Sequence, residues 1–153
     1  MLRRGKQGEV RKNFMNKALC IFILIFVTIS CSKKEEVKFE AFSPEAFAYD
    51  IGDSWEVNAT VNVRGFTKLE KNDEFSVSLS YSVDLIKPDG EVTKDIFSNV
   101  KEVNEKEIND VQLEAQFDLD KTYAQGKYKV AFSIKDNNSD KTTSAEAEFE
   151  LEE

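Results

Sequence analysis

The sequence predicts an all-β domain of two antiparallel sheets packed face to face as a sandwich, with about seven to eight short strands. Three observations predict it. Apolar and polar residues alternate through one segment after another from Val37 to Leu151, which is the pattern of a strand with one buried face. Turn-forming residues fall between the segments. A single sheet of so many strands would leave its apolar side in water, so the strands must form two layers. A closed barrel is the rival arrangement.

The elements follow in order along the chain. Short apolar pieces occur at Val37 to Phe42 and Phe47 to Ile51. Trp55, Val57, Ala59, Val61 and Val63 then share one face of a strand, with Glu56, Asn58, Thr60 and Asn62 on the other. Phe75, Val77, Leu79, Tyr81, Val83 and Leu85 repeat the pattern opposite a row of serines. Phe66 and Phe75 flank a polar loop from Thr67 to Glu74, where core burial is the usual fate of a Phe and an exposed aromatic contact the alternative. Lys87–Pro88–Asp89–Gly90 reads as a turn, because proline presets one φ and glycine admits a positive one. A short strand follows at Val92 to Phe97, and the charged stretch Lys101 to Asp110 reads as a loop with at most one helical turn. Val111 to Leu119, Tyr128 to Ile134 and Ala145 to Leu151 complete the set, the last two joined through Asp136–Asn137–Asn138–Ser139–Asp140.

The approach to the Tyr128 strand carries a resemblance. Gly126 followed by Tyr128 at the head of an alternating strand resembles the tyrosine corner of immunoglobulin-like and fibronectin-like domains, over roughly the C-terminal third of the chain. The resemblance implies an immunoglobulin-like sandwich in which Gly126 and Tyr128 are structural, Tyr128 locking the fold by a hydrogen bond. The chain lacks the immunoglobulin cysteine pair, and Trp55 stands on an earlier strand than the usual core Trp, which sets it apart from the antibody-like branch.

A different signal lies at the start. The run from Ala18 to Ile29 has no charge and follows Arg11, Lys12 and Lys17, the layout of an export signal. At 12 residues it is short of the ~20 needed to span a bilayer. Val27–Thr28–Ile29–Ser30–Cys31 resembles the lipobox of bacterial lipoproteins, with Ser30 before the cleavage point and Cys31 as the lipidated residue. Thr28 stands where the pattern usually has Leu, a looseness that resembles spirochaete and Bacteroidetes lipoproteins. The resemblance implies three parts: a signal peptide over 1–30, with Met15 as an alternative start, a lipidated tether over 31–36, and a sandwich domain over 37–153. It further implies attachment to a membrane through acyl chains such as palmitate on Cys31. Ser32 does not resemble the inner-membrane retention signal of enteric lipoproteins, and the Lys–Lys–Glu–Glu after it resembles surface-export signals of Bacteroidetes lipoproteins, which implies the outer membrane or cell surface more than the inner membrane.

Charge and composition restrict what such a domain does. Of 21 basic and 29 acidic residues, six basic and one acidic precede Cys31, which leaves a net charge of −13 on residues 31–153. Such a surface repels nucleic acid, which calls for clustered Lys and Arg. There is no histidine, and the only cysteine other than Cys31 is Cys20 in the signal. Zinc and other metal sites built on His or Cys, disulfides within the domain, and Ser-His-Asp or Cys-His nucleophiles are therefore excluded. Asp136 to Asp140 offers oxygens at the spacing of a calcium loop, but lacks the glycine at the sixth place and has Ala147 where the bidentate Glu belongs. Asp118 and Asp120, and Glu146, Glu148 and Glu150, alternate with inward residues and so fall on solvated faces, where carboxylates keep ordinary pKa values. No cofactor, no metal and no catalytic residue is expected, and the chain reads as not an enzyme. It reads as a monomeric binding or structural module whose partner is an unidentified envelope or extracellular protein. The alternative is an exported modulator or inhibitor of an enzyme such as a protease.

Translation from Met15 should give the same mature protein, since Asn16 and Lys17 still supply a basic start. A chain begun at Met15 is expected to be exported and acylated as well as the full one; loss of export on removing residues 1–14 would show that the longer start is needed.

Overall fold

The computed structural model describes residues 37–152. They form eight strands: β1 (Glu40–Asp50), β2 (Ser54–Arg64), β3 (Leu69–Lys71), β4 (Glu74–Ile86), β5 (Val92–Glu105), β6 (Asp110–Asp120), β7 (Gly126–Asp136) and β8 (Thr142–Leu151). All pairings are antiparallel. One sheet has the order β1-β2-β6; in the other, β4 is flanked by β5 on one edge and by β7 and then β8 on the opposite edge. The short β3 lies in line with β7 along β4, pairing Leu69 with Ser76 where β7 has not yet begun. In immunoglobulin lettering β1, β2 and β6 take places A, B and E, and β4, β7 and β8 take C, F and G. The remaining long strand, β5, extends the C-F-G sheet beside β4 instead of the A-B-E sheet.

Alternation in sequence becomes alternation in burial. Along β2, Trp55, Val57, Ala59, Val61 and Val63 are all buried while the residues between them are half exposed. They meet Val77 to Leu85 of β4 and Tyr128 to Ile134 of β7 in one core, together with Leu113, Leu119, Phe149 and Leu151. Burying each large aliphatic or aromatic side chain stabilises the fold by about 1.5–3 kcal/mol, so this interior is the main favourable term.

Three elements differ from the sequence reading, each for a local reason. The pieces expected at 37–42 and 47–51 are one strand that begins at Glu40, and its pairing on β2 slips between Phe42 and Glu45. Pro44 has no N–H for the ladder, and Ser43 adopts φ +48, so the extra residue is bulged out and pairing resumes at Glu45 opposite Thr60. Val37 is exposed, and Phe39 is the first residue to enter the core. The loop expected from Lys101 to Asp110 is instead strand as far as Glu105, because β4 offers it a full ladder, Val103 opposite Val77 and Lys101 opposite Leu79. Its charges are those an exposed edge strand tolerates. The polar loop from Thr67 to Glu74 contains the small strand β3, which turns back through Asn72 and Asp73 at φ +56 and +62, the mirror-image turn that suits a hairpin.

Glycine is required at one crossing. At Gly65, φ is +73 and an added Cβ would lie 2.2 Å from the carbonyl oxygen of Lys38, so the end of β2 passes against the segment that leads into β1 only because no side chain intervenes.

Phe132 is fully buried, and Lys135 on the same strand is exposed. Phe132→Ala should cost about 3–5 kcal/mol in chemical denaturation and Lys135→Ala under about 0.5. Equal losses would mean that β7 faces the other way.

Candidate functional site

Strand direction sorts the loops into two groups. The segment before β1, the β2–β3 loop, the β5–β6 loop and the β7–β8 turn gather at the end where the chain enters; the β1–β2, β4–β5 and β6–β7 loops gather at the other.

Asp136 organises the end where the chain enters. Its side chain is completely buried, the one buried polar or charged residue among the described ones. One carboxylate oxygen accepts the Asn138 backbone N–H at 2.9 Å. The other accepts the Thr67 backbone N–H at 2.8 Å and the Ser139 hydroxyl at 2.7 Å. Asn138 donates onward to the Thr67 carbonyl at 3.0 Å, which ties the β7–β8 turn to the β2–β3 loop. Burial pushes the Asp136 carboxyl up, but these donors outweigh it and hold its pKa below the ordinary value. Both oxygens are spent on N–H and O–H donors, and no group of three His, Cys, Asp or Glu suited to a metal occurs among the described residues. Asp136 to Asp140 is thus built as a hairpin turn. An Asp opening an Asn-Ser turn was visible in the sequence; its partner Thr67, far away along the chain, was not.

Tyr128 organises the opposite end. Its hydroxyl donates to the Ala124 carbonyl at 2.7 Å, and its ring stacks on Phe149 at a centroid distance of 5.6 Å. Gly126 has φ +142 and sits against Pro88, whose Cγ would be 3.2 Å from an added Cβ. A cleft of about 440 Å³ opens beside them, lined among others by Lys87, Pro88, Asp120, Thr122 and Tyr123. The Lys87 ammonium bonds to Glu91 at 3.0 Å, which raises its pKa, and lies 5.5 Å from the Tyr123 ring centre. Such a lysine stays protonated and offers the cleft a positive charge but no nucleophile. Asp120 is held below its ordinary pKa by the hydroxyl and backbone N–H of Thr122.

The other residues singled out in the sequence are not brought together. Ser30 and Cys31 lie outside the described residues. Asp118, Glu146, Glu148 and Glu150 are exposed, and Glu148 pairs with Lys129 at 3.1 Å. Phe66 is buried; Phe75 is half buried, with the Lys68 ammonium 5.9 Å from its ring centre. One feature the sequence did not single out is a set of large apolar side chains on the surface: Phe47 and Tyr49 on the outer side of β1 and Ile51 in the turn just after it, each more than half exposed.

The geometry of the described residues defines an immunoglobulin-type sandwich domain of two antiparallel sheets. No family model and no curated protein matches the chain. Among solved structures, the chain is similar to a family 123 glycoside hydrolase from Clostridium perfringens, described for glycolipid glycan hydrolysis, at TM-score 0.44 and 14% identity. That match covers 71% of this chain and 22% of the hydrolase, so the chain spans about a fifth of that protein's length. It is also similar to the N-terminal domain of PorA, at TM-score 0.33 and 12% identity over 69% of this chain and 84% of that one. At such values the activities of those proteins do not transfer to this chain.

Asp136→Asn keeps the shape but turns one acceptor into a donor facing donors, and should cost about 1–3 kcal/mol at neutral pH. A carboxylate whose folded pKa is lowered stabilises fully above its unfolded pKa near ~3.9, and that contribution is lost as pH falls through the folded value. Urea denaturation from pH 6 to pH 2 should therefore show the wild type losing its advantage over D136N below about pH 4; parallel curves would remove Asp136 as the titrating group.

Proposed function

We propose that the chain is an exported lipoprotein of a bacterial envelope, held to a membrane by acyl chains on Cys31 and acting as a binding module. The observation that carries it is the order of parts: a charge-free run, Ser30–Cys31, and then a fold whose first core residue is Phe39. The seven residues 32–38 reach at most about 25 Å, so an anchored domain stands close to the bilayer on its Asp136 end. One acyl chain gives only reversible attachment, and two or more hold so acidic a domain firmly.

Binding by a sheet face fits this domain better than blockade of an enzyme by a long loop. Connections between the described strands run from two to five residues, each spanned by strands on both sides. Connections of this length are ordinary hairpin turns, so the broad exposed surface of the domain lies on its sheet faces.

Mass spectrometry of the native protein should find an N-terminal Cys31 carrying diacylglycerol, and Cys31→Ala should leave the signal uncleaved. An unmodified N-terminus at another residue would overturn the anchor.

A further inference from the structure

The two outer faces of the sandwich differ in chemistry. On the β4–β7–β8 sheet, register aligns Ser82 with Ser98, Ser133 and Ser144 in one row of small hydroxyls. The β1–β2–β6 sheet is graded instead. Its edge strand β1 displays Phe47 and Tyr49, both 55% exposed, and Ile51, 51% exposed, follows just past the strand's end in the turn to β2. The middle strand β2 sets Asn58 beside Phe47 and Glu56 beside Tyr49. The far strand β6 adds Gln116 beside Asn58, Asp118 beside Glu56 and Glu114 beside Thr60. Apolar, mixed polar and acidic rows thus run side by side. Neither Glu45, Glu56, Glu114 nor Asp118 has an ion-pair partner among the described residues; of the cations on or beside this face, Lys121 is engaged with Asp50 at 2.7 Å and with the Trp55 ring at 3.8 Å, and Arg64 with Glu40 and the Phe42 ring.

We propose that this face docks a basic amphipathic helix of an exported polypeptide, its apolar side on Phe47, Tyr49 and Ile51 and its Lys or Arg side over Glu56, Glu114 and Asp118. The inference rests on the reading of the domain as a binding module and names the partner of that module. Dimensions agree: strands lie ~4.8 Å apart, so β1 and β6 are about 10 Å apart, the width of one helix. From Phe47 to Ile51, which lies just past the end of β1, the row is at most about 13 Å long, close to two helical turns, which matches apolar positions at i, i+3 or i+4, and i+7. Charge decides between occupants. A second copy laid on this face would set carboxylates against carboxylates or against the aromatic row, and an anionic lipid surface would be repelled by the same groups. A basic partner gains from both rows at once.

The test uses the full chain in phosphatidylcholine nanodiscs and fluorescent 18-residue model helices, one with Leu and Lys faces, one with Leu and Glu faces. Anisotropy against empty discs should show the Leu/Lys helix binding, more weakly as salt rises, and the Leu/Glu helix not binding. Phe47→Ser with Tyr49→Ser should weaken binding by about tenfold or more. Glu114→Gln with Asp118→Asn should weaken it and flatten the salt dependence, while Ser82→Ala on the opposite face changes nothing. All positions are on the surface, so unchanged thermal midpoints by circular dichroism check that folding is intact. Binding no better than to empty discs, equal binding of the Leu/Glu helix, or indifference to the Phe47 and Tyr49 changes overturns the proposal. A null titration with an acylated Cys31 removes this surface alone; an unmodified N-terminus removes the anchor and leaves the surface standing.

Discussion

The structure depends on one constraint: the inward row of β2, from Trp55 to Val63, must be covered by the inward rows of β4 and β7. Neither sheet can keep that side wet, and stacked sheets lie ~10 Å apart with interdigitated side chains. A consequence is the freedom of the outward rows. Once the inward positions of each strand are occupied by Val, Leu, Phe and Tyr, the alternate positions carry serines on β4 and carboxylates or amides on β6 at little cost to stability. The functional surface of such a fold is therefore written in the half of each strand that the core does not use.

Packing alone does not fix how one sheet sits over the other, since apolar contact is non-directional. Directional bonds add that. The Tyr81 hydroxyl on β4 donates to the Glu114 carbonyl on β6 at 2.6 Å, a link from one sheet to the other. Tyr128 and Asp136 close the two ends, at opposite termini of the same strand β7. Each is a buried polar group whose loss of partners would be expensive, so each favours one arrangement over near alternatives. No buried side-chain polar atom is without a partner among the described residues.

The same economy bears on function. In the proposed attachment, a domain tethered before β1 has its far end and its two sheet faces free to meet other molecules. Of the two faces, one carries a row of small hydroxyls and, on β7 and β8, outward Lys and Glu residues of both signs, with Lys129 paired to Glu148. The other combines exposed aromatic area with carboxylates that have no ion-pair partner among the described residues, the pairing that gives an interface both affinity and direction. A bulge at Ser43–Pro44 makes this possible, since it resets which residues of β1 point outward.

By itself the sequence determined the class of fold, because period-two alternation and turn residues are local, and two layers follow from the need to cover apolar faces. It also named the inward rows of β2, β4, β6, β7 and β8, and placed Tyr128 at the head of its strand. The charge-free run and the Ser30–Cys31 pair that carry the proposal of export and lipidation are linear motifs outside the described residues. Only the tertiary structure decided the rest. The charged stretch to Glu105 became strand because β4 lay beside it, and Asp136 became a buried hub because Thr67 folded onto it. In β1 the small Ala46 and Ala48 point inward and Phe47 and Tyr49 outward, the reverse of what size suggests. Hydrophobicity is a property of the residue, but which side of a strand meets the core is a property of its register, and register is set by the neighbouring strand.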